Sequence, residues 1–452
     1  MRVVQAYQFA LDPTPEQERA LRSHCGAQRF AYNWGLARIK ATLAQREAER
    51  SCGIPEHELT PAAGWSAWAL RKEFNAVKDT VAPWWAENSK EAYASGLANL
   101  AAALGNWKAS RDGARAGPSV RFPVFKGKRA VLSVRFSTGS FGLAGQDRRH
   151  VQLPRIGLVR THESTRKLAR RIGVGTARIR SVTVSCRRGR WQASFSVEID
   201  RADRAPARPA GTVGVDVGIT HLAVLSTGEM VPNPRPLEHA QRRLRRLNRQ
   251  AARRTGPDRR TGQRPSARWR TTQARIARAH ARAANLREDG LHQLTTRLAA
   301  TYGTVVVEDL NVAGMLKNRR LARKIADAGF GTLRRQLAYK TAWRGGRLAA
   351  AGRFYPSSKT CSGCGAVKAK LALSERTYRC PSCGLVLDRD LNAARNLAAL
   401  AGGTSSPSRG ATVNEPAGNP GKTRPPGTGY RHGKTTPLPG SGQRPRRKAR
   451  AA

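Results

Sequence analysis

Four cysteines constrain this chain more than any other feature in it. Cys361, Cys364, Cys380 and Cys383 form the pattern C-x2-C-x15-C-x2-C. Each C-x-x-C knuckle turns two thiolates toward one cation, and two knuckles complete a tetrahedral sulfur set. Gly365 and Gly384, directly after the second cysteine of each pair, permit the tight backbone turn this requires. Four thiolates leave no open coordination position, so the expected ion is a structural zinc with no catalytic role. The other three cysteines, Cys25, Cys52 and Cys186, are scattered. That pattern fits a reducing compartment with one metal site better than a disulfide framework. Just past the second knuckle lie Asp388 and Asp390, opening a helix-like run, LNAARNLAAL.

The chain has 452 residues, too many for one ordinary domain, and is 39% hydrophobic, enough to bury cores over most of its length. Its formal net charge is +52, of which residues 401–452 carry only nine. A folded body that cationic repels itself unless a polyanion neutralises it, and nucleic acid is the usual one. Arginine outnumbers lysine, which suits bidentate phosphate and base contacts. No apolar run approaches the roughly 18 residues of a membrane span. The opening MRVVQAYQFALDP has no apolar signal-peptide core. The expected location is cytoplasmic and nucleoid-associated, with no membrane partner.

Residues 1–11 alternate as a strand does; Thr14 can then cap a helix whose first position is Pro15. Leu21, Cys25, Phe30, Trp34 and Ile39 recur near helical spacing, and the pattern stays helical and tryptophan-rich to about residue 112. A bundle core is the plainer reading of Trp65, Trp68, Trp84, Trp85 and Trp107, with nucleobase stacking the sharper one. Beyond Gly113 come short β-rich runs punctuated by Gly, Pro and charge, some alternating basic with apolar residues as in Val131–Phe136. They predict a small antiparallel, barrel-like unit with a cationic face. Residues 201–210 read as a linker, and GTVGVDVGITHLAVLSTGEMV as two strands in a hairpin about Gly218-Ile219-Thr220. From Leu237 to Leu298 runs a mostly helical basic arm, broken near Thr255–Ser266, with a narrow stripe of Leu244, Leu247, Ile276 and Leu286. TVVVEDLNVAGM predicts a buried strand ending in acid, and GFGTLRRQLAYKTAWRGGRLAAAG an amphipathic helix. The Gly/Pro/Arg-rich tail after Leu400 has almost no apolar residues and is expected to be disordered.

The acids form three loci. Asp216 stands mid-strand in GVDVG, where a lone carboxylate is costly unless something positive meets it. Gly214 and Gly218 on its own face leave room for a bulky partner such as metal-bound phosphate. Glu308 and Asp309 end the valine strand and point to opposite faces, so only one can share a site with Asp216. Asp388 or Asp390 supplies the third locus, although Asp390 as a plain N-cap of the following helix is the structural alternative. Three acidic loci at the ends of β-type runs, in a chain this basic, suggest two hard divalent cations such as Mg2+. Such a pair can activate a water and stabilise the leaving oxygen of a phosphodiester. No Gly-rich phosphate loop appears, which argues against an NTP-driven motor.

At these residues the chain resembles the OrfB/TnpB proteins of insertion sequences, which are related to the type V CRISPR effector nucleases. The resemblance is carried, in order, by YQFALDPTPEQERAL…RFAYNWGL, FPVFKGKRAVLSVRF, GVDVGIT, VVVEDLN, CSGCG…CPSCG and DRDLNAARNL, and spans most of residues 1–400. It implies a multidomain α+β chain: an RNase H-like (RuvC) nuclease domain with helical and zinc-ribbon insertions, preceded by a β-barrel-like domain with a helical bundle insertion. It also implies a guide RNA transcribed from the element's end, cleavage of double-stranded DNA beside a short adjacent motif, and Asp216, Glu308 and Asp390 as the magnesium-binding catalytic acids. Base pairing would then read the target while the protein grips backbone and shape.

The implied organisation is a strand and helix of the nucleic-acid-binding lobe at 1–37, a helical recognition bundle at 38–112 and a β-rich barrel-like domain at 113–205. A nuclease domain follows at 206–400, carrying the arm at 237–298 and the ribbon at 355–387, with a basic tail at 401–452. Two other functions compete: a transposase or accessory factor acting without guide RNA, and a non-catalytic DNA-binding regulator whose acids merely cap and pair. The first lacks a nucleophile motif, since Tyr7 and Tyr32 sit in apolar patterns.

Overall fold

The structure, a computed structural model, describes residues 1–402 apart from Arg129, Gln146, Arg188, Ala202, Asp203, Arg259 and Leu373. The expectation of a disordered tail therefore lies outside the described residues. The N-terminal part opens with β1 (Arg2–Asp12), α1 (Pro15–Ser51), α2 (Ala67–Val81) and α3 (Lys90–Arg111). Thr14 and Gln17 form a reciprocal capping box, each side chain accepting the other's backbone N–H, and Pro15 takes the first turn. Helix α1 then runs unbroken past residue 38.

Next come β2 (Leu132–Phe136), β3 (Gly142–Leu143), β4 (His150–Leu153), β5 (Gly157–Thr161), α4 (Arg166–Gly173), β6 (Ala177–Arg187) and β7 (Arg190–Asp200). With β1 they make one seven-stranded sheet in the order β2-β6-β7-β1-β5-β4-β3. The first strand of the chain is thus an inner strand, antiparallel to β7 from Arg2↔Asp200 to Ala10↔Gln192. In β2 Val134 and Phe136 are buried while Arg135 is exposed, so one face packs and the other presents cations. Among the described residues the ladder does not close on itself: β2 and β3 are its edges. Helices α1 and α3 pack on the sheet, and one core joins Leu21, Leu36 and Leu97 to Val134, Phe195 and Val197.

Trp34, Trp65, Trp85 and Trp191 belong to that core, and ring contacts tie others to it. Trp107 meets Trp65 and Phe122, with ring centroids 5.8 and 4.9 Å away, and Trp84 meets Phe30 and Tyr93. Trp68 is different. It is 67% exposed on α2, beside Arg71, Lys72 and Lys90 on the wall of a cleft of about 670 Å³.

The C-terminal part is built on β8 (Arg208–Asp216), β9 (His221–Leu225) and β10 (Met230–Pro232), then α5 (Pro236–Ala252), α6 (Ala267–Thr301) and β11 (Tyr302–Glu308). It continues through α7 (Val312–Met315), α8 (Ala322–Ala328), α9 (Phe330–Ala342), β12 (Arg347–Ala351), β13 (Thr377–Arg379), β14 (Val386–Asp388) and α10 (Arg389–Gly402). The five-stranded sheet has the order β10-β9-β8-β11-β12. β8, β11 and β12 are parallel, while β9 and β10 add antiparallel strands on one side.

Strand alternation divides its two faces. Val213, Val215, Val305 and Val307 pack with Leu291 and Leu298 of α6 and Leu333 and Leu337 of α9. Val306, Ala349 and Ala351 pack on Leu397 of α10. α5 and α6 pair through Leu244, Leu247 and Ile276.

Three expectations are corrected. The strand expected to begin after a linker at 201–210 already includes Arg208–Ala210. Leu286 is 53% exposed, because α6 outruns α5 there and turns its next apolar face to the sheet through Leu291. The helix expected over GFGTLRRQLAYKTAWRGGRLAAAG ends at Ala342, and its second half is strand β12. Gly345, with φ +69°, makes the break in a left-handed turn.

Candidate active site

The four cysteines meet as the spacing demands. Their sulfurs all lie within 4.8 Å of one another, with Cys361–Cys383 and Cys364–Cys380 both 3.6 Å apart and no disulfide between them. Gly365 and Gly384 are left-handed, with φ +78° and +75°, and their N–H groups close back on the carbonyls of Cys361 and Cys380. The backbone N–H of Cys383 favours the Cys380 thiolate and holds that thiol down to about 6. Cys383, although the Leu385 N–H favours its thiolate, is pushed up to about 12 by the sulfurs of Cys364, Cys361 and Cys380. Such crowding is relieved by a cation at the centre, and the donor set fits a tetrahedral, thiolate-seeking one.

The acids are arranged by the sheet and by α10. β8 and β11 are in register through Val215↔Val307, so Asp216 and Glu308 end adjacent parallel strands side by side. Glu308 lies two residues beyond Val306, on the face that α10 covers. Asp216 is likewise two residues beyond Gly214. A Cβ at Gly214 would stand 1.9 Å from the Ala394 carbonyl oxygen and 2.6 Å from the Ala398 nitrogen. The expectation that this glycine leaves room for a ligand is therefore wrong: it lets the α10 backbone lie directly on β8. Gly218 is also filled, with the His221 carbonyl 3.1 Å from where a Cβ would be. One turn before Ala394 on the same helix face is Asp390, which the close seat of α10 brings toward Asp216.

The electrostatics follow from this geometry. Asp216 is reachable from solvent but packed round by protein, and its carboxyl is raised well above the usual range. Desolvation is the main cause, followed by the negative fields of Glu308 and Asp390; Arg389 opposes. Among the described residues the carboxylates of Asp216 and Asp390 take no hydrogen bond or ion pair. The four cysteines are, among the described residues, the group of metal-ligating side chains that clusters this tightly.

Their neighbours are occupied otherwise. The Arg334 guanidinium bonded to Asp309, with Arg353 at 2.9 Å, holds that carboxyl below its usual range. Asp388 Oδ1 accepts the N–H groups of Asp390 and Leu391 at 2.9 and 3.0 Å. Asp388, not Asp390, is thus the N-cap of α10. Tyr32 is buried beneath Lys126, and Tyr7 lies in the β1–β7 ladder.

Sequence reasoning missed three residues. Ser357 Oγ donates to Glu308 at 2.6 Å, and Asn392 and Asn396 of α10 bind the backbone leading into the first knuckle. Two asparagines spaced i,i+4 among the alanines and leucines of α10 were the available signal.

Comparison with known sequences gives the family. A profile described as "Probable transposase" (OrfB of the IS605 type) matches residues 194–319, and one for a Cas12f1-like TNB domain matches 330–397. A third, described as a helix-turn-helix domain, matches residues 1–48, which here are a strand and one unbroken helix. A Mycobacterium tuberculosis protein named "Putative RNA-guided DNA endonuclease" is 42% identical over 415 residues, 87% of this chain and 86% of that protein. A similarly named Escherichia coli K12 protein, InsQ, is 30% identical over 88% of this chain and 92% of its own. A Cas12f1–sgRNA–target DNA complex is a weak structural likeness, with TM-score 0.46 and 13% identity over 88% of this chain and 99% of that one. The chain belongs to the OrfB/TnpB family of insertion-sequence proteins.

Proposed function

We propose that this chain is an RNA-guided, metal-dependent DNA endonuclease of a transposable element, and that Asp216, Glu308 and Asp390 hold its catalytic cations. One observation carries the reading. Asp216 and Glu308 end adjacent parallel strands, and Glu308 and Asp390 of α10 both raise the Asp216 carboxyl. Among the described residues the Asp216 and Asp390 carboxylates take no hydrogen bond, while the acids beside them cap a helix or pair with arginine. The five-stranded sheet, three antiparallel strands followed by two parallel ones with helices on both faces, supports an RNase H-like (RuvC) domain. The names of the relatives point to the same activity.

Bound by these acids, two magnesium ions would supply an activated water and stabilise the leaving oxygen of the scissile phosphodiester. The chain's own part is to gather hard oxygen donors where the fold makes them uncomfortable without a cation. Desolvation and two neighbouring carboxylates favour the neutral form of Asp216, and cations held there would favour the ionised one. Asp390 is presented by the first turn of α10, which Asp388 caps and Gly214 seats. Cys361, Cys364, Cys380 and Cys383 hold a structural zinc. The net charge of +52 and the cationic cleft beside Trp68 suit guide RNA and a double-stranded DNA target.

Two experiments test the reading. Sequencing RNA that co-purifies with the chain should recover one discrete species, and an absence of any would remove the guide. Asp216→Ala should bind nucleic acid normally and cut nothing; cleavage by that variant with Mg2+ present would remove the acid site.

A further inference from the structure

Between the cysteine ribbon and the acids runs a short line of buried polar groups that the cleavage chemistry alone does not explain. Ser357 is 4% exposed, and its Oγ donates to Glu308 Oε1 at 2.6 Å. The carbonyl of Ser357 accepts from Asn396 Nδ2 at 2.7 Å, and the same amide donates to the Thr360 carbonyl at 2.7 Å. One turn earlier on α10, Asn392 donates to that Thr360 carbonyl at 2.6 Å and accepts from the Ser362 N–H at 2.9 Å. Cys361 lies between Thr360 and Ser362. Asn392 is wholly buried and Asn396 nearly so. Amides buried that deeply stay only where their hydrogen bonds are made, so this segment has one seat on α10.

We propose that Ser357 is a positioning residue for Glu308, and that Asn396 and Asn392 fix it to α10, so that the cysteine ribbon's seat sets the geometry of the second catalytic acid. The inference rests on the acid-site reading above. A carboxylate on a strand end rotates about its side-chain torsions. A hydroxyl holding one oxygen limits that rotation and leaves the other oxygen available to a cation. Partners of this kind orient metal ligands, and their loss lowers metal affinity without touching the metal. α10 itself carries Asp390, so the same helix fixes one acid directly and another through Ser357.

The test uses the full-length chain, zinc-loaded and stripped of nucleic acid by high salt, with Mn2+ as the probe. Free Mn2+ is read by electron paramagnetic resonance, so no cleavage is involved. Ser357→Ala should weaken Mn2+ binding about 10-fold, the lower end of the range for such partners. Its zinc content should stay at one per chain and its thermal midpoint close to the parent's. Ser357→Thr, which keeps the hydroxyl, should recover most of the loss. Asn396→Leu, similar in volume but unable to donate, should weaken Mn2+ binding in the same direction, and it decides the question should Ser357→Ala not retain zinc. Glu308→Gln separates the two claims. If it weakens Mn2+ binding while Ser357→Ala and Asn396→Leu bind as the parent does, the positioning role is wrong and the acid site stands. If Glu308→Gln itself binds Mn2+ like the parent, both fall.

Discussion

Adjacent acids in this chain do opposite work, and local geometry decides which does what. Asp388 Oδ1 accepts two N–H groups of α10, whereas the carboxylate of Asp390, two residues on, takes no hydrogen bond among the described residues. Glu308 faces α10, and Asp309, on the other side of the strand, is gripped by Arg334 and Arg353. Alternation alone says that Glu308 and Asp309 diverge, but not which face carries the site, because that depends on where a helix 80 residues later comes to rest.

Asp216 yields a pH prediction. Its folded-state pKa is raised, so the stability it contributes to the metal-free protein is present below about 3.9, the unfolded carboxylate value, and is lost as pH rises through the folded value. Above that unfolded value the unfolded chain ionises freely while the folded state holds the proton back, so Asp216 strains the metal-free fold at neutral pH. Metal-free Asp216→Asn should therefore melt higher than the parent at pH 7.5, with the gap closing toward pH 4, as calorimetry would record. Mn2+ affinity of the parent should rise with pH over the same window, since the cation competes with the proton.

At the level of elements, α10 is the part on which the site depends. Its backbone rests on β8 only because residue 214 has no side chain. A Cβ 1.9 Å from a carbonyl oxygen cannot be relieved by a rotamer change. Gly214→Ala should cost about 1–3 kcal/mol or more and move Asp390 off the site. Calorimetry and a cleavage assay should both register it, whereas Asp388→Ala should cost about 1 kcal/mol in the cap and retain cutting. The glycine was visible in the sequence and its purpose was not: GVDVG reads equally well as space for a ligand or for a helix.

The ribbon was the most legible element, since C-x-x-C-G fixes its own turn wherever it lies. Replacing Cys364 by Ser should release zinc and, through Ser357, weaken Mn2+ binding; zinc analysis beside the Mn2+ titration checks both. β12 was not legible, because RLAAA has neither alternation nor β-branched residues and becomes a strand only by lying parallel to β11.

The molecule as a whole is dominated by its charge. At +52, binding to any nucleic acid should release many counterions. Contacts to even 6–10 phosphates would lose about 10³–10⁵ in affinity between 50 and 200 mM salt. A salt titration of duplex binding should give a slope at least that steep, and a flat one would remove electrostatics as the main source of affinity.

Motif order made the family legible, and composition pointed to a nucleic-acid partner. The joining of β1 to β5 and β7, which start at Gly157 and Arg190, was not, because an inner strand of one sheet and a free N-terminal strand have the same alternation.

The central claim is that three particular carboxylates cut. Its most direct measurement is Mg2+-dependent cleavage of a guide-matched plasmid by five single variants, each first shown to bind nucleic acid like the parent. Asp216→Ala, Glu308→Ala and Asp390→Ala should each lose more than about 100-fold, beyond the loss expected for an outer partner of a metal ligand. Asp309→Ala and Asp388→Ala should still cut. Cleavage that survives loss of Asp216 or Asp390, or that disappears with Asp388 while Asp390 is dispensable, would contradict the account.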